Sequence, residues 1–372
     1  MLRKSVLTFL VLGLNLSFLN SAQALDIDVD IQTMNISKTV TRADNGERGP
    51  ALAVLKNGNL LLGGGPNGGT VFLGDGKKRA VITMGDVIPM NKRLKDSRFA
   101  ITDIAVLSET TTSAKLLVSY PRLGTNNKCV EVVVDQVDAN LKTNKISKKK
   151  TWFVSKPCVP ISAVQHTAGR FAVIDKNSAY VTIGDLGFSD IKDRNKRGDL
   201  GSIFKLSKKS AERISQGHRN PQGIVLFNNQ TLIAAEHGPR GGDEINVIES
   251  GGDYGWPFVT HGQPYGSGDY VRPSKTGTHE GDIEPIKYWV PSIAPTELVQ
   301  LPTQGWASWG RALVLGTLAE EVLVFMKMNE KFEITEEVRL DMNDRIRDLE
   351  VLSTGALLAT TDSGKLITVS NT

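Results

Sequence analysis

The segment 217–257, GHRNPQGIVLFNNQTLIAAEHGPRGGDEINVIESGGDYGWP, concentrates side chains that are able to do chemistry. Arg219 is a permanent cation with a rigid fork of donors, and the adjacent Asn220 offers both a donor and an acceptor. Pro221 stiffens the turn behind them. An arginine and an amide side by side at the start of a strand suit a ligand that carries several carboxylates or a quinone.

The same segment contains oxygen donors of the kind that bind calcium. Gly238 and Pro239 form a turn that presents backbone carbonyl oxygens, and Asp243 and Glu244 add carboxylates a few residues later. Hard oxygen ligands from backbone and carboxylate favour calcium over a transition metal, although the spacing is not that of an EF-hand. On composition alone, ordinary turn chemistry is the alternative interpretation.

Most of the chain reads as short apolar or alternating strands separated by Gly, Asn and Asp turns, with few helical periods. One loose unit recurs, in which two or three apolar segments are joined by polar turns. Its copies lie at 51–73, 101–120, 169–185, 222–238, 311–328 and 346–370. This repeat predicts an all-β fold, a single six-bladed β-propeller over residues 25–372, whose loops converge at a central channel.

The first residues have the pattern of an export signal. Arg3 and Lys4 precede an apolar run over 6–19, which ends at the small-residue pattern Ala22-Gln23-Ala24. We therefore expect residues 1–24 to be removed after Ala24 and the mature protein to be periplasmic or secreted. No later stretch reaches the roughly 18–20 apolar residues of a membrane span, so we expect no membrane insertion of the mature chain.

The charge of the chain argues against a nucleic-acid partner. The formal net charge is +4 and includes Arg3 and Lys4 of the leader, which leaves too little for a nucleic-acid or membrane surface. The basic run over 145–150 is explained as a solvated loop or edge strand. The glycine cluster over 63–69 lacks the GK[ST] ending of a phosphate loop and is interpreted as a turn.

Two cysteines, Cys129 and Cys158, are the only ones in the sequence. An even count in an exported chain predicts one disulfide, with two buried free thiols as the alternative. Two cysteines without clustered partners make a poor zinc site.

Three blocks in order, GHRNPQG, EHGPRGGDEIN and GGDYGWP, resemble the signature of the soluble quinoprotein aldose dehydrogenases, the glucose/sorbosone dehydrogenase family. VQHTAGRF, which contains His166, TIGD, which ends at Asp185, SIAPTEL over 292–298 and RIRD over 345–348 extend the resemblance. It covers roughly 160–365 well and the earlier part of the mature chain poorly. The resemblance implies a six-bladed propeller that uses pyrroloquinoline quinone (PQQ) and calcium to oxidise an aldose.

The resemblance also implies roles for individual residues. His166 would be the general base that takes the proton of the sugar C1 hydroxyl while hydride leaves for the quinone. Arg219 and Asn220 would contact PQQ, with Arg219 stabilising negative charge on the quinone oxygen. The remaining cofactor contacts implied in this way are Thr260, Tyr265, Arg345 and Arg347.

Calcium ligands are implied in two places. The carbonyls of Gly238 and Pro239 would hold the ion that binds the cofactor, and Glu244 with the backbone of Tyr254 resembles a further calcium site. His218, His237 and Asp185 are interpreted as scaffold.

The sequence departs from the family pattern at two positions. The region 96–106 has no Gln, and Ala319 stands where a Lys is usual. Two other classes of function therefore remain open. One is a calcium-stabilised binding propeller without turnover, and the other is a calcium-dependent lactonase-type hydrolase in which His166 activates water. The sequence does not identify the sugar that is oxidised or the electron acceptor.

Overall fold

The computed structural model describes residues 28–36, 49–63, 70–74, 80–83, 100–124, 128–143, 145–161, 166–266 and 271–372. The predicted leader, most of the glycine cluster and the start of the region 96–106 lie outside these residues. Within them the secondary structure is almost entirely β, with two short 3-10 turns at Ser189–Lys192 and Ala307–Trp309.

The strands form six sheets, and most strands pair with their neighbours along the chain. Strand β1 (Val29–Asn35) departs furthest from this order, because it pairs with the last strand of the chain. Sheet 1 contains β2 (Ala51–Val54), β3 (Leu60–Gly63), β4 (Thr70–Gly74) and β5 (Ala80–Thr83). Sheet 2 contains β6 (Asp103–Glu109), β7 (Ser113–Leu123), β8 (Cys129–Asn140), β9 (Lys145–Val154) and β10 (Val159–Pro160).

Sheets 3 and 4 contain the strands of the segment 217–257. Sheet 3 contains β11 (Ala168–Asp175), β12 (Ser178–Ile183), β13 (Ser202–Ser207), β14 (Ala211–Gln216) and β18 (Gly252–Asp253). Strand β18 comes later in the chain, after three strands of sheet 4. Sheet 4 contains β15 (Pro221–Phe227), β16 (Thr231–Glu236), β17 (Asp243–Val247) and β19 (Lys287–Trp289). Strand β18 pairs parallel with β14, whereas the other pairs are antiparallel.

The C-terminal part of the chain forms the last two sheets. Sheet 5 contains β20 (Pro295–Gln300), β21 (Leu313–Thr317), β22 (Val322–Met328) and β23 (Ile334–Asp341). Sheet 6 contains β24 (Ile346–Val351), β25 (Leu357–Thr361), β26 (Lys365–Asn371) and the N-terminal strand β1. Pairing of β1 with β26 brings the first and the last of the described strands into one sheet.

The inner strands of the sheets contact one another in a closed ring, in the order β2, β6, β11, β15, β20, β24 and back to β2. A ring of radially arranged antiparallel sheets is the architecture of a β-propeller. The prediction of an all-β propeller is confirmed.

Apolar side chains fill the space between neighbouring sheets. Between sheets 2 and 3, for example, Leu117 and Val134 pack with Val181 and Phe204, all of them buried. Because each strand alternates its side chains between two faces, every sheet contributes apolar residues to the cores on both of its sides. The buried strands consequently read as nearly continuous apolar runs in the sequence.

The axis of the ring is polar. Arg170 of β11 is fully buried, and its Nη1 lies 3.9 Å from Asp103, 3.2 Å from Glu297 and 3.0 Å from Asp348. These three carboxylates belong to β6, β20 and β24. Four of the six sheets thus meet at one guanidinium.

The disulfide predicted between the two cysteines is confirmed, with Cα atoms 5.4 Å apart. It joins the start of β8 to the residue before β10, and the same two segments pair through Pro160 and Cys129. No helix in the described part of the chain is long and apolar enough to cross a membrane.

Candidate active site

The candidate residues meet because of where they lie on two neighbouring hairpins. His166 precedes β11 and Asp185 follows β12, while Arg219 precedes β15 and Gly238 follows β16. In an antiparallel hairpin the start of the first strand and the end of the second lie at the same end. All four residues therefore lie at one end of sheets 3 and 4, although 72 positions separate the first from the last in the numbering.

His166 is held by a buried carboxylate. Its Nδ1 lies 2.7 Å from Oδ1 of Asp185, which is 1% exposed. The indole N–H of Trp256 donates to the other oxygen of Asp185 at 2.8 Å, and the backbone N–H of Gly187 donates to Oδ1 at 2.7 Å. Because a carboxylate accepts the proton of Nδ1, neutral His166 carries its free lone pair on Nε2.

Nε2 of His166 points at the guanidinium of Arg219. The distance from Nε2 to Nη2 of Arg219 is 3.1 Å, so the arginine donates to the lone pair of the neutral imidazole. Burial and the nearby Arg219 lower the pKa of His166, and they outweigh the opposing effect of Asp185. The imidazole is therefore kept neutral to lower pH than an ordinary histidine, as a general base requires.

Arg219 links the histidine to the turn predicted to bind calcium. Its Nη1 donates to the carbonyl of Gly238 and, at 3.3 Å, to that of His237. The guanidinium lies 5.4 Å from the ring centroid of Trp256, within the range of a cation–π contact. One cation thus contacts the predicted base and a predicted metal-binding carbonyl.

Asp243 holds the turn at Gly238 and Pro239 in place. Its Oδ1 accepts from the backbone N–H of Gly238 at 3.0 Å. Its Oδ2 accepts from the hydroxyl of Ser292 at 2.6 Å and from two backbone N–H groups of the same loop, Ile293 and Ala294, at 2.8 Å each. Asp243 is therefore used to fix the turn, and Glu244 remains the carboxylate that faces inward.

Glu244 belongs to a buried polar network beside Arg219. Its Oε1 lies 2.8 Å from Nε2 of His279, and its Oε2 accepts from the amide of Asn246 at 3.2 Å. The same amide donates to Glu236, which also pairs with His218 at 2.8 Å. Burial, together with the charge of Glu236, raises the pKa of Glu244.

Next to this network is a small cavity of about 10 Å³. Among its lining residues are Glu236, Glu244, Tyr254, Arg219 and Thr260. A cavity of this size holds a single water-sized particle. The predicted calcium residues Glu244 and Tyr254 are thus brought together around a space of the right size for one ion.

Three other predicted cofactor residues lie in or beside this region. Asn220 is buried, and its Oδ1 accepts from the amide of Gln222 at 2.8 Å. The hydroxyl of Thr260 accepts from the backbone N–H of Gly262 at 3.1 Å. The hydroxyl of Tyr265 donates to the carbonyl of Pro239 at 3.0 Å, so Tyr265 is tied to the turn predicted to bind calcium.

Arg345 and Arg347 form a separate cluster around Asp362. Arg347 donates to both oxygens of Asp362 at 2.8 Å, and Arg345 donates to one of them at 3.0 Å. Nη1 of Arg345 also donates at 3.0 Å to the carbonyl of Leu318, the residue before Ala319. A cation is therefore present next to the position where the family pattern has a lysine.

The sequence did not identify two residues that shape the site. Asp185 was interpreted as scaffold, but its contact with Nδ1 makes it the residue that orients His166. Trp256 had no predicted role, yet it contacts both Asp185 and Arg219. The pairing of an acid with a candidate general base is the pattern that could have indicated Asp185.

Comparison with known proteins agrees with the fold. The sequence model of the glucose/sorbosone dehydrogenase family matches residues 51–368. Aldose sugar dehydrogenase YliI of Escherichia coli is 29% identical over 290 residues, which are 73% of this chain and 76% of that protein. Quinoprotein glucose dehydrogenase B of Acinetobacter calcoaceticus is 25% identical over 160 residues, 35% of this chain and 33% of that protein.

Solved structures share the fold at lower identity. The soluble aldose sugar dehydrogenase of Escherichia coli superimposes with a TM-score of 0.75 at 24% identity and covers 93% of this chain and all of its own. The PQQ-bound aldose sugar dehydrogenase of Streptomyces coelicolor gives a TM-score of 0.63 at 19% identity, with coverage of 93% and 99%. The family match spans most of the sequence, and the chain belongs to the glucose/sorbosone dehydrogenase family of sugar dehydrogenases.

Proposed function

We propose that this protein is an exported PQQ- and calcium-dependent dehydrogenase that oxidises an aldose at C1. We count each of the six sheets as one blade of the propeller. The observation that carries the proposal is the pair of half-buried His166 and buried Asp185, with Nε2 of the imidazole aimed at Arg219. A binding module without turnover needs neither an oriented neutral imidazole nor a cation beside it, so the pair favours an enzyme over that alternative.

The residues around Arg219 suit a quinone with carboxylates. Arg219 supplies a forked donor, and the Asn220 amide lies beside it in the sequence. Arg347 donates from Nε and Nη2 to Asp362, and Nη1 has no hydrogen-bond acceptor among the described residues. Arg345 and Arg347 therefore add positive charge that Asp362 neutralises in part, which leaves Arg219 as the main cation for a carboxylated cofactor.

The oxygen donors suit calcium at both predicted places. The carbonyls of Gly238 and Pro239 each accept one hydrogen bond from a side chain, and a carbonyl oxygen has a second lone pair for a cation. At the second place, two buried carboxylates, Glu236 and Glu244, approach the small cavity. Burial makes their charge costly, and a divalent cation would offset that cost.

Proton removal is the step that this chain performs with its own residues. His166 accepts the proton of the C1 hydroxyl on Nε2, while Asp185 fixes the tautomer and stabilises the resulting imidazolium. The hydroxyl takes the position on Nε2 where Arg219 now donates, and Arg219 remains beside the site as a cation. When bound, PQQ supplies a two-electron acceptor for the hydride that leaves C1.

A titration tests the proposal directly. Chelator-stripped mature protein is titrated with PQQ in the presence of calcium, and binding is monitored by the absorbance of the cofactor. Oxidation of a panel of aldoses is then measured by dye reduction. We expect saturable binding and calcium-dependent oxidation of at least one aldose. Absence of binding at micromolar PQQ would refute the proposal and favour the binding module, whereas lactone hydrolysis without PQQ would favour the hydrolase.

The role of His166 is tested by His166→Gln, which removes the base but keeps a polar side chain. We expect dye reduction to fall by about a hundredfold or more, since general base catalysis typically contributes about 10²–10⁴. PQQ affinity and thermal stability should remain close to those of the wild type. The control is His261→Gln, because His261 pairs with the exposed Glu284 outside the Arg219 contacts. Full activity of His166→Gln would refute the assignment.

A further inference from the structure

A second cavity lies at the end of sheets 4 and 5 that is opposite to the candidate active site. Its volume is about 500 Å³, and its walls come from the β15–β16 turn, the segment between β20 and β21, and the β22–β23 turn. Arg219 and Gly238 flank the other ends of β15 and β16, so the length of this hairpin separates the two places. None of the predicted site residues, all of which the structure describes, lines this cavity.

One guanidinium in the cavity is fixed in position but is not neutralised. Nε of Arg311 donates to Oδ1 of Asn228 at 3.2 Å, and the backbone carbonyl of Arg311 accepts from the amide of Gln300 at 3.2 Å. Gln300 also donates to the same oxygen of Asn228, at 2.9 Å. No carboxylate of the described residues forms an ion pair with Arg311, and its Nη1 and Nη2 are available to a ligand.

The backbone is strained at two of the lining residues. The φ angle is +69° at Arg311 and +62° at Phe332, in the left-handed region that favours glycine. The N–H of Arg311 donates to the carbonyl of Pro302 at 3.2 Å, and that of Phe332 to the carbonyl of Asn329 at 3.0 Å. Such strain costs conformational free energy and is concentrated at functional sites. Here it brings a cation and an aromatic ring into the same cavity.

The rest of the lining is amphipathic. Phe227 and Met328 add apolar surface to that of Phe332, whereas Gln230 and Thr231 contribute an amide and a hydroxyl. The side chains of Gln230 and Thr231 form no hydrogen bond with another described residue. A concave site of several hundred Å³ with apolar walls and a few free polar groups is typical of small-molecule binding.

The charges of the lining favour an anion at Arg311. Lys327 also lines the cavity, but its Nζ lies 2.7 Å from Glu336 and 4.2 Å from the ring centroid of Trp309. Glu330, the carboxylate among the lining residues, is exposed and makes no direct contact with Arg311. A guanidinium with two free terminal nitrogens binds a carboxylate through two parallel hydrogen bonds.

We propose that this cavity binds a small aromatic carboxylate, with its carboxylate on Arg311 and its ring against Phe227 and Phe332. Aromatic rings pack on one another with a gain beyond the area that they bury. Gln230 and Thr231 would bind polar substituents of the ring. The site is distinct from the site of sugar oxidation, and the inference does not depend on the proposed function.

Binding of phenylacetate to the mature protein without added PQQ tests the site. Acetate, which lacks the ring, and 2-phenylethylamine, which lacks the carboxylate, are the comparison probes, and saturation-transfer NMR measures all three affinities. We expect phenylacetate to bind saturably and at least about fivefold more tightly than either comparison probe. Absence of saturable binding below about 10 mM, or tighter binding of the amine, would overturn the proposal.

Variants of the lining locate the bound probe. Arg311→Gln should weaken phenylacetate binding by about tenfold or more, the loss expected for a charge-assisted pair. Arg311→Gly should weaken it equally without lowering the melting temperature, because glycine adopts this φ without strain. Glu330→Gln should strengthen binding, since it removes a nearby negative charge.

Two further variants are controls. Lys331→Gln removes an exposed cation next to Phe332 that does not line the cavity, and phenylacetate affinity should stay within twofold of the wild type. Arg219→Gln removes the cation at the other end of the hairpin and should also leave the affinity unchanged. Loss of binding in Arg219→Gln but not in Arg311→Gln would place the probe in the candidate active site and refute the second site.

Discussion

At the scale of single residues, the site depends on how Asp185 controls His166. Asp185→Asn keeps the shape of the side chain but removes its charge, so Nδ1 of His166 loses its anionic acceptor. We expect kcat to fall by about a hundredfold or more, because the imidazolium is no longer stabilised. Since Asp185 is the group that raises the pKa of His166, its loss lowers that pKa further.

The pH dependence of kcat checks this prediction. The acidic limb of the profile, which reports protonation of His166, should move to lower pH in Asp185→Asn. Asp190→Asn, at an exposed acid on the same loop, is the matched control and should keep the wild-type profile. A profile of Asp185→Asn that matches the wild type would show that the contact does not orient the base.

A second residue-scale prediction concerns Glu244. If it binds calcium, calcium stabilises the folded state by preferential binding, and added calcium raises the melting temperature of the wild type. Glu244→Gln should lose most of that increase while changing sugar oxidation less. Glu249→Gln, an exposed acid on the following turn, serves as control. An equal calcium-induced increase in all three proteins would refute the role of Glu244.

At the residue scale, short sequence motifs predicted some of the residues of the candidate site. His166, Arg219 and Gly238 were identified from short motifs, and the structure brings them into direct contact. Asp185 was interpreted as scaffold, and its contact with His166 depends on the approach of the ends of two strands, which no local pattern encodes. The pairing of Arg347 with Asp362 was missed for the same reason.

At the scale of elements, the disulfide constrains the chain segment that precedes His166. Cys129 and Cys158 are 29 positions apart and join β8 to the segment before β10, after which the chain continues to His166. Loss of the bond by a double substitution to alanine should lower the free energy of unfolding by roughly 3–4 kcal/mol, since the unfolded chain gains loop entropy. Urea unfolding of the variant and of reduced wild type measures the loss.

The double alanine variant and the reduced wild type should show the same free energy of unfolding, because both lack the disulfide. A loss below about 1 kcal/mol in both would mean that the pairing of β10 with β8 holds the segment without the bond.

Strand patterning was the most predictable level of this fold. Alternation and turn residues indicate hairpins locally, whereas the return of β18 to sheet 3 depends on contacts across two sheets and had no sequence pattern.

At the scale of the whole molecule, three carboxylates connect the inner strands in pairs. Asp103 of β6 accepts from the backbone of Phe171 in β11, and Asp348 of β24 accepts from Leu52 in β2. Glu297 of β20 likewise accepts from β15, at 3.3 Å from the nitrogen of Ile224. Each inner strand is therefore held to one neighbour by a buried carboxylate. Arg170 contacts all three carboxylates, which makes it the centre of the ring.

This arrangement makes stability depend on pH. Burial, reinforced by Asp348 and opposed by Arg170, raises the pKa of Asp103 to about 7, and burial also raises the pKa values of Glu297 and Asp348. A carboxyl group whose pKa is raised in the folded state binds protons more tightly there than in the unfolded chain. The proton-linked stability of Asp103 is therefore fully present below its ordinary pKa of 3.8 and is lost progressively as the pH rises from there to about 7.

Arg170→Gln tests the cluster at two pH values. Without the guanidinium, the ionised carboxylates lie buried with no cation between them, a situation that typically costs about 3–5 kcal/mol. We expect a loss of that size in the free energy of unfolding near pH 8 and a much smaller one near pH 5, where protonation removes the repulsion. The second substitution Asp103→Asn should restore part of the stability near pH 8, because it removes one of the charges. Arg272→Gln, at an exposed position, should change little at either pH. Equal losses at the two pH values would mean that Arg170 acts by packing, and that the charge at the axis does not hold the ring together.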